Sequence, residues 1–177
     1  MSTWKIDPDH SVAAFEARHF MITIVRGQFN NISGEIHFDP VDATLCSVEA
    51  TIQAAGLYTG IPKRDEHLRS PDFLNVEKYP AITFKSTGVE LAGTTLKKVY
   101  GGLTIRGITR PVTLDVAHFG PVTSPFGGET TMGFSATTEI NRFEFDVNWN
   151  YDMENGGRVA GKWVKIHLEA EADLEKE

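Results

Sequence analysis

Apolar and polar residues alternate along most of this chain with a period of two. The clearest example is residues 164–172, where aliphatic residues hold every even position and Lys, His or Glu every odd one. Such alternation is typical of strands that turn one face to the core and the other to water. Similar alternation recurs in residues 11–20, 25–29, 32–38, 46–54, 82–87, 99–106, 112–117 and 132–137.

The alternating segments predict a single all-β domain over residues 1–177, with about eight strands. Clean alternation favours antiparallel pairing with one face in water. Strands of this kind either stack as two sheets or close into a barrel, and closure removes the exposed edges. A closed barrel of this size has an interior that side chains fill or that one small ligand occupies.

One segment, residues 62–70, breaks the alternation and is dense in helix formers. Pro62 suits a first helical turn, and Pro71 ends a helix. We therefore expect one short helix around 62–70 that joins two strands. This is the longest connection without strand character, and such connections often carry function.

Charge and cysteine content narrow the range of partners. Lys and Arg number 17 against 24 Asp and Glu, a formal net charge of −7, so no nucleic-acid partner is expected. Cys46 is the single cysteine, which excludes an intramolecular disulfide and a Cys-rich zinc site. The six histidines form no i, i+4 pair of the metalloprotease type. We predict no metal site and no cofactor.

Apolar runs in the chain are only a few residues long. A membrane-spanning helix needs about 20 such residues, so no membrane span is expected. Residues 1–10 include Lys5, Asp7 and Asp9 and lack the apolar region of a secretory leader. The expected location is the cytoplasm; a start trimmed from a longer precursor would make it the periplasm.

Arg64, Asp65 and His67 are candidate acid–base residues in the predicted helix. The alternative is an ion-pair network that holds the helix to the barrel rim. We favour the network, because the chain has no Gly-x-Ser-x-Gly elbow and no signature of a catalytic cysteine. Cys46 itself is interpreted as an inert core thiol.

Phenylalanines occupy inward positions of the predicted strands, where glycines and alanines share the same faces. Large and small residues together either leave an apolar lumen or interdigitate to fill it. The sequence leaves both outcomes open. Two polar residues are candidates for contact with a ligand head group: His19, for which a structural role inside the barrel is the favoured alternative, and Arg142, for which a surface position is.

Three blocks of residues stand out by their order and spacing: Trp4, Asp7, His10 and Phe15; residues 64–68 with Ser70, Asp72, Phe73, Tyr79 and Pro80; and Ile140, Arg142, Phe145 and Trp149. Together they resemble the YceI-like family, the polyisoprenoid-binding, lipocalin-like proteins of bacteria. The resemblance covers residues 4–171. One departure is Asp146, which stands where the family usually has glycine after an aromatic residue.

The resemblance implies an extended eight-stranded antiparallel lipocalin-like barrel with a long apolar channel, often in a homodimer, and no enzymatic activity. We therefore predict non-enzymatic binding, transport or sequestration of a long-chain isoprenoid or fatty lipid, of polyisoprenoid or isoprenoid quinone type. The alternatives are a filled barrel that serves as a stress-related interaction module and, less favoured, an enzyme acting on an isoprenoid lipid. The predicted ligand-binding residues are Phe15, Ala17, His19, Phe29, Phe38, Phe84, Leu103, Met132, Phe134, Arg142 and Phe145.

Overall fold

A computed structural model describes residues 2–39, 41–42, 45–91, 96–154 and 156–175. Ten strands and one α-helix form within these residues. The strands are β1 (Ser2–His19), β2 (Thr23–Phe29), β3 (Ile32–Phe38), β4 (Ser47–Gln53), β5 (Leu57–Tyr58), β6 (Ala81–Leu91), β7 (Leu96–Ile105), β8 (Ile108–Thr123), β9 (Thr130–Asn141) and β10 (Ala160–Leu174), and the helix is α1 (Pro62–Arg69).

The strands close into a barrel because β1 pairs with β10 as well as with β2 and β3. β2 and β3 lie along the same edge of β1 and form one barrel strand, interrupted at residues 30–31. β4 and β5 likewise follow β3 and β2, with a short 3-10 turn at Ala54–Gly56 between them. Counted in this way, the barrel has eight strands, all antiparallel to their neighbours, and the predicted fold is confirmed.

The predicted alternation fixes which residues face inward. In β7, for example, Val99 and Ile105 are buried while Tyr100 is exposed. β1 extends further toward the N-terminus than its predicted segment, and an irregularity between Asp7 and Val12 shifts its pairing with β10. The shift changes the inward row of β1 from even-numbered residues such as Trp4 to odd-numbered residues after the irregularity. Both parts of the strand therefore face the interior.

The predicted helix is confirmed as α1, with Pro62 in its first turn. It ends at Ser70, whose extended backbone donates its N–H to the carbonyls of Glu66 and His67. The Arg69 guanidinium donates to the backbone carbonyls of Ala55 and Leu57, which holds α1 against β5. No helix in the described part of the chain is long and apolar enough to span a bilayer.

The barrel has two ends that differ in what covers them. At the first, here called the helix end, buried Phe73 and Phe145 pack with Phe29 and Leu57. At the second, here called the Lys97 end, Trp4, Phe38, Met132 and Ala172 form a smaller buried cluster, and Lys97 lies over the Phe38 ring. The space between these ends is the candidate site.

Candidate functional site

The barrel encloses an elongated cavity of about 470 Å³. Its wall runs from His19 and Arg64 at the helix end to Lys97 and His118 at the Lys97 end. Between those polar residues the wall is made almost wholly of aliphatic and aromatic side chains from the barrel strands. An apolar cavity of this size fits a single small ligand. The volume counts against a barrel that its own side chains fill.

Glycines explain how so many phenylalanines leave room for a cavity. The Phe15 ring lies over Gly27, its partner residue on β2, where a Cβ atom would overlap the ring. The Phe84 ring covers Gly101 of the adjacent strand in the same way. Both rings therefore rest against the barrel wall instead of crossing the lumen. The sequence left open whether the inward residues fill the barrel or leave an apolar lumen. The packing of these rings on glycines leaves the lumen open.

Except for Met132, the predicted ligand-binding residues all lie on the cavity wall. Met132 is 2% exposed and packs in the cluster with Trp4, Phe38 and Ala172 at the Lys97 end. It faces inward as expected, but its neighbours cover it completely. Contact of the wall residues with a ligand stays a prediction. Those on the wall are Phe15, Ala17, His19, Phe29, Phe38, Phe84, Leu103, Phe134, Arg142 and Phe145.

Arg142 is only 6% exposed, so the expected surface position is wrong. Its guanidinium donates from Nε to the carbonyl of Gly161 at 2.8 Å and from Nη2 to that of Ala160 at 3.0 Å. Nη1 donates to the carbonyls of Val147 and Trp149. Burial, followed by the charge of Arg158, lowers the pKa of Arg142 to about 10. The side chain thus joins the segment after β9 to the start of β10 and has few donors left for a ligand.

His19 is half-buried on the cavity wall at the helix end. Its ring lies 4.0 Å, centroid to centroid, from the exposed ring of Phe20. Among the described residues, the imidazole of His19 has no hydrogen-bond partner. The favoured alternative of a hydrogen-bonded structural histidine is therefore wrong. His19 can therefore offer a nitrogen to a molecule in the lumen.

The candidate acid–base residues are not assembled into one group. Asp65 is buried and accepts hydrogen bonds from the backbone N–H and the hydroxyl of Thr59. Arg64 donates to the same Thr59 hydroxyl at 2.7 Å. His67 pairs with Asp72 at 2.9 Å. The expected network is thus corrected in its partners: the three residues bind Thr59 and Asp72 and not one another.

Only part of this group reaches the cavity. Arg64 and His67 lie on its wall, whereas Asp65 does not. The His67 ring is held edge-on by the rings of Phe73 and Trp149. This arrangement fixes α1 over the helix end of the barrel and leaves no carboxylate of the group beside the lumen.

A polar group at the Lys97 end was not predicted from the sequence. Lys97 lies on the cavity wall and is 6% exposed, with Nζ 4.4 Å from the centroid of the Phe38 ring and 3.9 Å from the Cys46 Sγ. His118 lies nearby, with its ring 4.9 Å from that of Phe38. The sequence did carry a signal for this residue. When the alternation is extended by two residues before Val99, Lys97 falls in the inward row of β7.

A second polar cluster lies outside the cavity, where Asp7, His10 and Glu171 bring ligand atoms within 4.8 Å of one another. The His10 Nδ1 is 2.6 Å from the Asp7 Oδ2. Exposed clusters of this kind are common without a metal, and the Asp7–His10 ion pair accounts for its geometry.

Comparison with known proteins identifies the family. The YceI-like domain matches residues 4–172. This chain belongs to the YceI-like family. Two UPF0312 proteins of Staphylococcus aureus are each 34% identical over 174 residues, which cover 98% of this chain and 99% of the relative.

Solved structures of similar fold agree with the barrel. The Campylobacter jejuni YCEI protein is 30% identical, with a TM-score of 0.70 over 90% of both chains. BcnA of Burkholderia cenocepacia has a TM-score of 0.82 at 24% identity, covering 94% of this chain and 98% of its own. A polyisoprenoid binding domain from Saccharophagus degradans, implicated in plant cell wall breakdown, has a TM-score of 0.69 at 15% identity, covering 99% and 100%.

Proposed function

We propose that this protein binds one long-chain lipid of isoprenoid type in the barrel lumen and acts as a carrier or sequestering protein without catalysis. The observation that carries the proposal is the apolar cavity of about 470 Å³ that the closed barrel surrounds. The isoprenoid class is suggested by the polyisoprenoid binding domain of similar fold. The absence of an assembled acid–base group among the described wall residues favours binding over chemistry.

The cavity volume sets the size of the ligand. A dry cavity of about 150 Å³ holds one benzene ring. The lumen, at about 470 Å³, is roughly three times that volume and so takes on the order of 20 carbons. Long apolar chains fit this space, and small polar metabolites would leave it mostly unfilled.

The energetics also select long chains. Burial of one CH₂ group is worth about 0.8 kcal/mol, so ten carbons give ~8 kcal/mol and about twenty give ~16 kcal/mol, both gross. Association costs at least ~4 kcal/mol. Micromolar binding needs about 8 kcal/mol net, which a ten-carbon chain does not reach and a chain that fills the lumen does.

A titration of delipidated protein tests the proposal. Geranylgeraniol should bind at micromolar strength or better, and geraniol, with half its length, at least a hundredfold more weakly. Native mass spectrometry gives the stoichiometry, which should be one lipid per chain. Failure of geranylgeraniol to bind, or equal binding of the two alcohols, would contradict a lumen that recognises long chains.

A blocked variant locates the binding within the barrel. Phe84→Trp enlarges a ring that already covers Gly101 and should push it into the lumen, lowering geranylgeraniol affinity by roughly tenfold or more. Lys85→Trp is the matched control, because Lys85 is the next residue of β6 and its side chain is 74% exposed. Equal affinities for the two variants would place the lipid outside the barrel.

A further inference from the structure

Lys97 is a buried cation inside the barrel. It is 6% exposed, and it shares the inward row of β7 with buried Val99. Within the described ranges, no carboxylate lies within 4.0 Å of its Nζ, although the Asp39 carboxylate acts on Lys97 through charge from a greater distance. Lys98, the next residue, points outward and pairs with Asp115 at 2.8 Å. The strand therefore places one lysine in a direct ion pair at the surface and the other, without a direct ion pair, at the end of the cavity.

A buried ammonium without a carboxylate in direct contact is costly, and the Asp39 charge offsets only part of that cost. The Phe38 ring, 4.4 Å from the Lys97 Nζ, offsets part of that cost through its π electrons but does not neutralise the charge. The Cys46 Sγ at 3.9 Å is a weak acceptor. An anion delivered by a ligand would complete the coordination of the ammonium and remove the penalty.

His118 supplies a second polar atom at this place. Lys97 pairs with Val116 of β8, so His118 stands two residues further along the same inward row. Its Nδ1 is buried and has no hydrogen-bond partner in the part of the chain that the structure describes. Burial, followed by the charge of Lys97, lowers the pKa of His118 below its usual value, so the ring is neutral at neutral pH and can donate one hydrogen bond.

We propose that Lys97 and His118 form a binding site for the carboxylate head group of a long-chain acid, whose tail fills the lumen toward the helix end. This inference rests on the proposed function and adds the head group to it. One ammonium and one neutral imidazole offer a single positive charge, which already interacts with Asp39 and so suits at most one negative charge on the ligand. A diphosphate would leave excess negative charge in an apolar enclosure, which is unfavourable.

The experiment compares three ligands with the same tail on delipidated protein: geranylgeranoic acid, geranylgeraniol and geranylgeranyl diphosphate. The acid should bind roughly tenfold or more tightly than the alcohol, because it gains a charge-assisted hydrogen bond. The diphosphate should bind more weakly than the acid. Tighter binding of the diphosphate, or equal binding of acid and alcohol, would overturn the carboxylate site.

Two variants assign the effect to the inner lysine. Lys97→Met keeps the length and apolar body of the side chain and should abolish the preference for acid over alcohol while the alcohol still binds. Lys98→Met, which breaks only the outer pair with Asp115, should keep the preference. If both variants keep the preference for acid over alcohol, the carboxylate site is wrong, but lipid binding in the lumen still stands. Failure of wild-type protein to bind either ligand overturns the proposed function itself.

A measurement on wild-type protein covers the case in which Lys97→Met does not fold. Geranylgeranoic acid labelled with ¹³C at the carboxyl should titrate in the complex with a pKa below that of an ordinary carboxyl group, because the adjacent ammonium favours the charged form. A bound carboxyl with a raised pKa would mean that the head group lies in an apolar part of the lumen, away from Lys97.

Discussion

Asp146 shows how one residue adapts to a backbone that favours glycine. It follows the 3-10 turn Arg142–Phe145 in a left-handed conformation, with φ 58° and ψ 24°. Aspartate tolerates this region better than most residues because its short polar side chain bonds locally. The Asp146 carboxylate accepts from Asn148 at 2.8 Å and lies 3.3 Å from the Arg106 guanidinium. The predicted departure from the family glycine therefore keeps the turn and adds an ion pair.

The Asp7–His10 pair predicts a pH dependence at the residue scale. Its hydrogen bond raises the pKa of His10 above the usual value and lowers that of Asp7. The His10 contribution to stability should be fully present below the unfolded-state pKa and be lost as pH rises through the raised folded-state pKa. The Asp7 contribution should be present above its unfolded-state pKa and be lost as pH falls through the lowered one.

NMR titration of the His10 ring checks this expectation. The wild-type pKa should lie above that of an unfolded histidine, and Asp7→Asn should return it toward the usual value. The remaining effect in Asp7→Asn should be small, because Glu171 acts on His10 only through charge. A His10 pKa that Asp7→Asn does not change would show that the pair does not form in solution.

At the scale of strands, the pairing of rings with glycines keeps the barrel hollow. Gly27→Ala should force the Phe15 ring off β2 and into the lumen, because a Cβ atom at this position meets that ring and the Thr59 methyl. We expect roughly tenfold weaker binding of geranylgeraniol and a loss of about 1–3 kcal/mol in the free energy of unfolding. Titration and urea unfolding measure the two effects.

The chain offers a matched control and a rescue for this variant. A Cβ atom at Gly88 of β6 meets nothing within 4 Å, so Gly88→Ala should change lipid affinity little. Adding Phe15→Ala to Gly27→Ala removes the displaced ring and should restore much of the affinity. If Gly27→Ala alone keeps the wild-type affinity, the position of the Phe15 ring does not control the space available to the lipid.

The strands and their inward faces could be predicted because alternation of apolar and polar residues is local. Three features needed the folded chain. The alternation of β7 can be extended to Lys97, but only the fold shows that its ammonium is buried against the Phe38 ring. Arg142 binds carbonyls from segments that only the tertiary fold brings near it. Met132 faces inward as expected, but its cover by Trp4 depends on how the strand ends meet.

For the whole molecule, pairing of β1 with β10 closes the antiparallel sheet into a barrel with an interior cavity. α1 and Phe73 cover one end, and the Phe38 cluster narrows the other. The hollow interior, and not any one side chain, is what suits the molecule to a long apolar ligand. The homodimer and the cytoplasmic location stay predictions.

A crystal structure of the protein with geranylgeraniol tests the hollow barrel most directly. For a hollow barrel we expect continuous elongated density along the lumen, in contact with Phe15, Phe84 and Phe134, with those rings against the wall. Rings that meet across the barrel axis and close the lumen, with the alcohol bound only on the outside, would contradict it.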